Sequence, residues 1–281
     1  MSKHRPAKLK ASGRPGRIFV YVYTILTALP LYFVLINAFK SNKDIKRNPF
    51  IITVKTFTLE PIQRAWKLLR YPTTFANNLK LLIISTIFLV AFASMAAFAI
   101  SLTRGRFLKK YYSVTIGVMT LPFTLAMVPL ATIMKTLGLN NSYLGTSFVY
   151  AACTIPFAIF LYCGHIKTIP KEINEAAMLD GCSLMQTYWY IYMPLLKAAT
   201  GTVVILRSVF FWNDYLIAYV TLSKVSMQPL MLTLYSFASQ RLSSFDLLFA
   251  GTLLASLPII ILFVSAQKYF VGGAMAGAVK G

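Results

Sequence analysis

Two short stretches of this chain combine residue types that could do chemistry, and both are set among apolar residues. The first is Arg207 with Trp212-Asn213-Asp214-Tyr215, inside the apolar run Ala198–Leu222. An ionisable group in such a run costs several kcal/mol unless it is paired or faces water. Arg207 and Asp214 stand seven positions apart, nearly two helical turns, so one continuous helix would put both on one face, toward a bundle interior. With an indole, an amide and a phenol beside them, the set suits a polyhydroxylated solute, held by stacking and directed hydrogen bonds. A buried structural network, or an arginine reaching along its stem to the membrane surface, would use the same residues.

The second stretch is Glu175-Ala176-Ala177-Met178-Leu179-Asp180-Gly181, with Ile191-Tyr192-Met193-Pro194 following it, a polar interval between two apolar runs. Pro170 fits a first helical position, where its missing N–H costs nothing. Glu172 then falls in the first turn and complements the helix dipole. Gly181 can adopt the left-handed conformation that ends the helix. Ser183 with Gln186 reads as a capping box opening a second short helix, which Pro194 stops.

Other chemistries lack their residues. There is no Gly-x-x-x-x-Gly-Lys-Ser/Thr phosphate loop, no His-x-x-x-His and no nucleophile–base set, so neither nucleotide hydrolysis nor metal chemistry is expected on this chain. His4 lies in a basic tail and His165 at a span end. Cys153, Cys163 and Cys182 are odd in number, without metal spacing, and read as small apolar residues.

The elements that must position these residues are membrane helices. Hydrophobic residues make up 57% of the 281 and charged residues 12%, with mean hydropathy +0.66. Six runs approach the ~20 residues of a bilayer-crossing helix: Ile18–Phe39, Leu79–Thr103, Tyr112–Met134, Tyr143–Gly164, Ala198–Leu222 and Leu247–Tyr269. The fold class expected is an all-α polytopic bundle. A basic tail (1–17) would precede a six-span domain (18–270), and a small-residue tail (271–281) would follow it. The first run exceeds the ~7–15 apolar residues of a signal peptide and reads as a span. Pro30, Pro129, Pro156 and Pro258 are expected to interrupt four spans, and Ala93, Ala97 and Ser101 to permit close packing.

Lys and Arg crowd the N-terminal tail and the turn Arg104–Lys110, which puts both termini and the Glu175 segment in the cytoplasm. The basic stretch Lys40–Arg70 must then lie outside, an exception that longer loops tolerate. Within it Ile62, Ala65, Trp66 and Leu69 trace the face of a short amphipathic helix. Only Asp44 and Glu60 offset its cations. The net charge of +21 follows from topology and anionic lipid, without nucleic acid.

The Glu-Ala-Ala, the glycine four residues after the second alanine, and the later Ile-x-x-Pro resemble the coupling loop of ATP-binding-cassette importer permeases. Phe57-Thr58-Leu59, Asn77-Asn78-Leu79, Leu137-Gly138-Leu139-Asn140-Asn141-Ser142, Phe211-Trp212-Asn213-Asp214-Tyr215, Gln267-Lys268-Tyr269-Phe270 and the ending Ala276–Gly281 are similar to the maltose-type carbohydrate branch, in its shorter six-span subunit. The resemblance implies a subunit of an ATP-driven sugar or oligosaccharide importer in the bacterial plasma membrane. Glu175, Ala176, Ala177, Asp180, Gly181 and Pro194 would dock on the ATPase. Arg207, Trp212, Asn213, Asp214 and Tyr215 would line the pathway. It also implies a homologous second permease, two ATPase subunits carrying ATP and Mg, an extracytoplasmic binding protein, and a sugar that could be acidic. The alternatives are a non-sugar importer or an ATPase-independent secondary transporter; the latter would need coupling carboxylates at mid-membrane, where only Asp214 qualifies.

Overall fold

Long apolar stretches with no competing backbone partner fold into helices, and the described residues are helical with no strands. The computed structural model describes residues 14–102, 105–240 and 243–278, with side chains over 16–102, 105–240 and 243–265. The tail expected over 1–17, Arg104, and the ending Ala276–Gly281 thus fall largely outside the described residues. Two compact units are drawn from Met1–Trp66 with Leu242–Leu254, and from Lys67–Arg241 with Ala255–Gly281.

In the first unit, α1 (Arg14–Asn37) carries an apolar window with none of its residues covered by the rest of the chain. Such a surface needs lipid or another protein against it. Its end is tied down by polar groups. Asn37 Nδ2 donates to the Phe33 and Pro49 carbonyls at 3.0 Å each, and the buried Lys40 ammonium donates to the Asn48 and Ile51 carbonyls. Burial pushes the Lys40 pKa down from its ordinary value, and the charge of Asp44 pulls it back up. Ser41 caps α2 (Asn42–Arg47), leaving Lys43, Lys46 and Arg47 exposed.

The amphipathic helix expected in the loop is α3 (Glu60–Leu68), with Pro61 and Ala65 buried and Leu69 buried just beyond it; Trp66 is exposed. An acid from outside this loop also offsets its cations. Arg64 lies 3.6 Å from Glu60 and also 3.8 Å from Asp246, an acid far along the chain.

The second unit is organised around α4 (Tyr71–Leu102) lying along α7 (Tyr143–Ile166). Ala93 and Ala97 are fully buried, and the Cys163 thiol reaches the Ala97 carbonyl at 3.8 Å, so small residues do allow close approach here.

Two of the six expected spans are not continuous helices. Four helices among the described residues are long and apolar enough to cross a bilayer: Gly16–Asn37, Tyr71–Leu102, Tyr143–Ile166 and Phe245–Ser265. The count reaches six if each of two sharply bent pairs is one span. In the third run, α5 (Arg106–Val118) and Phe123–Thr136 meet at 101°. The break lies at Met119–Pro122, because a proline removes a donor and restricts the residue before it. After it comes α6 (Met127–Thr136), where Pro129 sits in the first turn and interrupts nothing. Pro30, Pro156 and Pro258 likewise lie inside unbroken helices. The second bent pair is Leu184–Leu195 with Lys197–Asn213, at 72°, so a span counted there starts well before Ala198. The expected fifth run, Ala198–Leu222, is itself divided at Asp214.

Candidate functional site

The Glu175 segment folds as its local chemistry demands. Helix α8 (Lys171–Leu179) starts after Pro170, which takes the N-cap position, one residue earlier than expected, and Glu172 lies in its first turn. At the other end Gly181 has φ +75°. Its N–H donates to the Met178 carbonyl at 3.1 Å, and the Cys182 N–H donates to the Ala177 carbonyl at 3.0 Å. These two bonds make a Schellman cap around the left-handed glycine, with Leu179 as the last helical residue and Asp180 as the C-cap. Ala177 is buried, whereas Glu175, Ala176 and Asp180 are exposed, as are Met178 and Leu179 at 65% and 88%. A nine-residue helix thus turns its apolar end outward, an apolar surface that the rest of this chain leaves uncovered.

The capping box is present in full. The Gln186 N–H donates to Ser183 Oγ at 3.3 Å, and the Ser183 N–H donates to Gln186 Oε1 at 2.8 Å. It opens α9 (Leu184–Leu195), whose Thr187–Tyr192 stretch is π-helical. Pro194 is exposed near its end, and the chain bends by 72° into α10 (Lys197–Asn213).

Helix α9 is bolted to α4. The Tyr188 and Ser94 hydroxyls are 2.7 Å apart, and Phe98 lies 5.4 Å from the Tyr188 ring and 4.9 Å from that of Tyr192. Both tyrosines are 2% exposed, so α9 is held rigidly against α4. The sequence signal for this pair is the four-residue aromatic spacing of Tyr188 and Tyr192.

The polar cluster sits about 24 Å away along α7, by helical rise from Ile166 to Tyr150. It does not form one face of one helix. Helix α10 ends at Asn213, and Asp214 lies in extended backbone before α11 (Leu216–Thr221). Asp214 Oδ2 accepts from the Ile217 N–H at 3.0 Å and from the Tyr150 hydroxyl at 2.9 Å, so this carboxylate caps the restarting helix. The Arg207 guanidinium lies 3.7 Å from the centre of the Phe157 ring, also on α7. Arg207 and Asp214 thus dock on separate α7 side chains, themselves seven residues apart. Trp212 is buried, its Nε1–H donating to the Ala255 carbonyl at 3.1 Å and its ring meeting Phe75 edge-on. Tyr215 stacks on Tyr235 with centroids 4.0 Å apart. Asn213 is exposed and bonds back to the Val209 carbonyl. Stacking surface and free amide are therefore less available than the sequence suggested.

Residues 6–273 match the family described as binding-protein-dependent transport system inner membrane component. The chain belongs to this family. Among similar permeases is the melibiose/raffinose/stachyose import permease protein MelC of Bacillus subtilis, 32% identical over 90% of this chain and 91% of that one. The probable starch degradation products transport system permease protein AmyC of Thermoanaerobacterium thermosulfurigenes is 33% identical over 92% and 94%. The multiple sugar-binding transport system permease protein MsmG of Streptococcus mutans is 31% identical over 94% and 95%. The fold resembles a crystal structure of a bacterial ABC transporter involved in the import of the acidic polysaccharide alginate, with TM-score 0.73 and 23% identity over 92% of this permease and 99% of that chain. This protein is therefore a permease subunit of a binding-protein-dependent importer, a membrane component that works with partner subunits.

Proposed function

We propose that this permease forms half of a translocation pathway for a sugar or oligosaccharide and couples it to ATP hydrolysis on separate subunits. Carrying the reading are relatives matched over nine-tenths of both chains whose names specify sugars or starch products. In this reading α8 docks through Met178, Leu179 and Glu175 on an ATPase that holds ATP and Mg. The uncovered window of α1 lies against lipid or a homologous second permease. Both termini and α8 face the cytoplasm of a bacterial cell, and of the pathway candidates Asn213 is the one exposed to meet solute. The test is solute-stimulated ATP hydrolysis by the complete purified complex with its binding protein. A galactoside such as raffinose or a maltooligosaccharide is expected to raise the rate several-fold, and an oligopeptide or phosphate to leave it unchanged. Stimulation by the peptide or phosphate alone would overturn the sugar assignment.

The outer basic face, with Lys43, Lys46 and Arg47 exposed, is assigned to docking of an acidic binding protein ahead of recognition of an acidic sugar, because docking asks nothing unusual of the substrate. Replacing the three by Gln is expected to slow association with the binding protein, most at low salt, where the field reaches beyond the ~8 Å of physiological screening. An association rate indifferent to both salt and these residues would make the charge a solvated surface.

A further inference from the structure

Two adjoining cavities open where α4, α5 and α7 approach the start of α8. One, of 320 Å³, takes Lys167, Lys171, Asn174 and Glu175; the other, of 350 Å³, takes Lys109, Tyr112, Ser113 and Cys163. Ser101 and Lys167 line both. Each volume falls in the ~300–1,000 Å³ range of ligand clefts.

Their chemistry is lopsided. Three ammonium groups converge on the pair of cavities against one carboxylate, Glu175. Among the described residues, none of the three lies within 4.0 Å of a carboxylate. The Lys167 Nζ lies 5.9 Å from the Tyr112 ring, a weak contact that leaves its donors free. Ser101 Oγ is buried on the shared wall, beside the Cys163 thiol, with no oxygen or nitrogen bonded to it. Lysines without carboxylate partners, and a hydroxyl facing only a thiol, are donors suited to an oxyanion.

The other walls are aliphatic: Ile100, Leu102, Ile166 and Ile169. Leu102 and Ile166 are the last residues of two helices long and apolar enough to cross the bilayer, so the cavities lie at headgroup depth. A free anion has no use for such walls, whereas a glycerophospholipid fits them with its glycerol and first acyl carbons. Lysine clusters at the ends of membrane spans attract anionic headgroups by about fivefold in affinity per cation.

We propose that this double cleft binds the phosphate of an anionic phospholipid, held by Lys109, Lys167 and Lys171 with Ser101 as a hydroxyl donor. Because Asn174 and Glu175 close one side, the lipid also braces the base of α8. This site requires neither the sugar nor the orientation proposed above, and its test reads binding alone.

The complete transporter, in detergent with equal mole fractions of phosphatidylglycerol and phosphatidylcholine, is assayed by native mass spectrometry for retained lipid. Wild type is expected to retain phosphatidylglycerol in preference to phosphatidylcholine. The exposed lysines can be changed without disturbing the core, and Lys109→Gln, Lys167→Gln and Lys171→Gln together should lower that retention on the order of a hundredfold. The three Lys→Arg changes should keep it. Equal retention of both lipids, or retention unchanged in the Gln variant, overturns the proposal. Displacement of phosphatidylglycerol by excess inorganic phosphate would overturn the lipid assignment in favour of a free-anion site.

Discussion

Gly181→Val is expected to cut transport and solute-stimulated ATP hydrolysis by about tenfold or more while leaving the permease inserted and folded. A Cβ at this position would meet nothing within 4 Å, so crowding by neighbours contributes nothing. The whole penalty lies in the backbone at φ +75°, about 1–2 kcal/mol for an ordinary residue and more for a β-branched one. A helix of nine residues is marginal alone. It cannot absorb that cost, so the two cap bonds open and the turn bearing Met178 and Leu179 frays. Asn visits the left-handed region readily, so the expected order of activity is Gly, Asn, Ala, Val. Membrane extraction profiles of the four should coincide, since Gly181 is exposed. A Val variant with normal solute-stimulated hydrolysis would show that the ordered cap is not used in coupling.

This segment was legible in the sequence because its determinants are local. Glu172, Gly181 and the Ser183–Gln186 pair each act within a turn of themselves, and each lies where short-range chemistry puts it. The breaks in the bundle were less legible because hydropathy runs straight through them. Ala198–Leu222 stays apolar on both sides of Asp214, and nothing in a window average reveals that its carboxylate serves a backbone N–H three residues on. Prolines fall into two groups. Pro30, Pro156 and Pro258 are accommodated within helices, whereas Pro122, followed by a new helical start, coincides with a true break. The fate of Trp212 was out of reach, since its partner Ala255 comes 43 residues later and only tertiary packing brings it there.

Asp214→Ala is expected to destabilise the permease by about 2–4 kcal/mol, because it strands two donors, the Tyr150 hydroxyl and the Ile217 N–H. Tyr150 is fully buried, so its orphaned hydroxyl has no water to turn to. Asp214→Asn keeps one acceptor oxygen and should cost roughly half as much. Tyr150→Phe removes the same bond from the other side. If the carboxylate is mainly a helix cap anchored to α7, the double variant Asp214→Ala with Tyr150→Phe should be less damaging than the sum of its parts, with a coupling of about 1–2 kcal/mol. Midpoints of thermal inactivation in detergent would measure it. A residue that only touched solute would behave differently: the single changes would alter transport at unchanged midpoints, and the two would add. Cysteine labelling separates the neighbours in the same experiment. A thiol at the exposed position 213 should react with a polar reagent, and one at 212, behind the contacts to Phe75 and Ala255, should not. Equal reactivity at both would return Trp212 to the pathway and weaken the capping account of its neighbour.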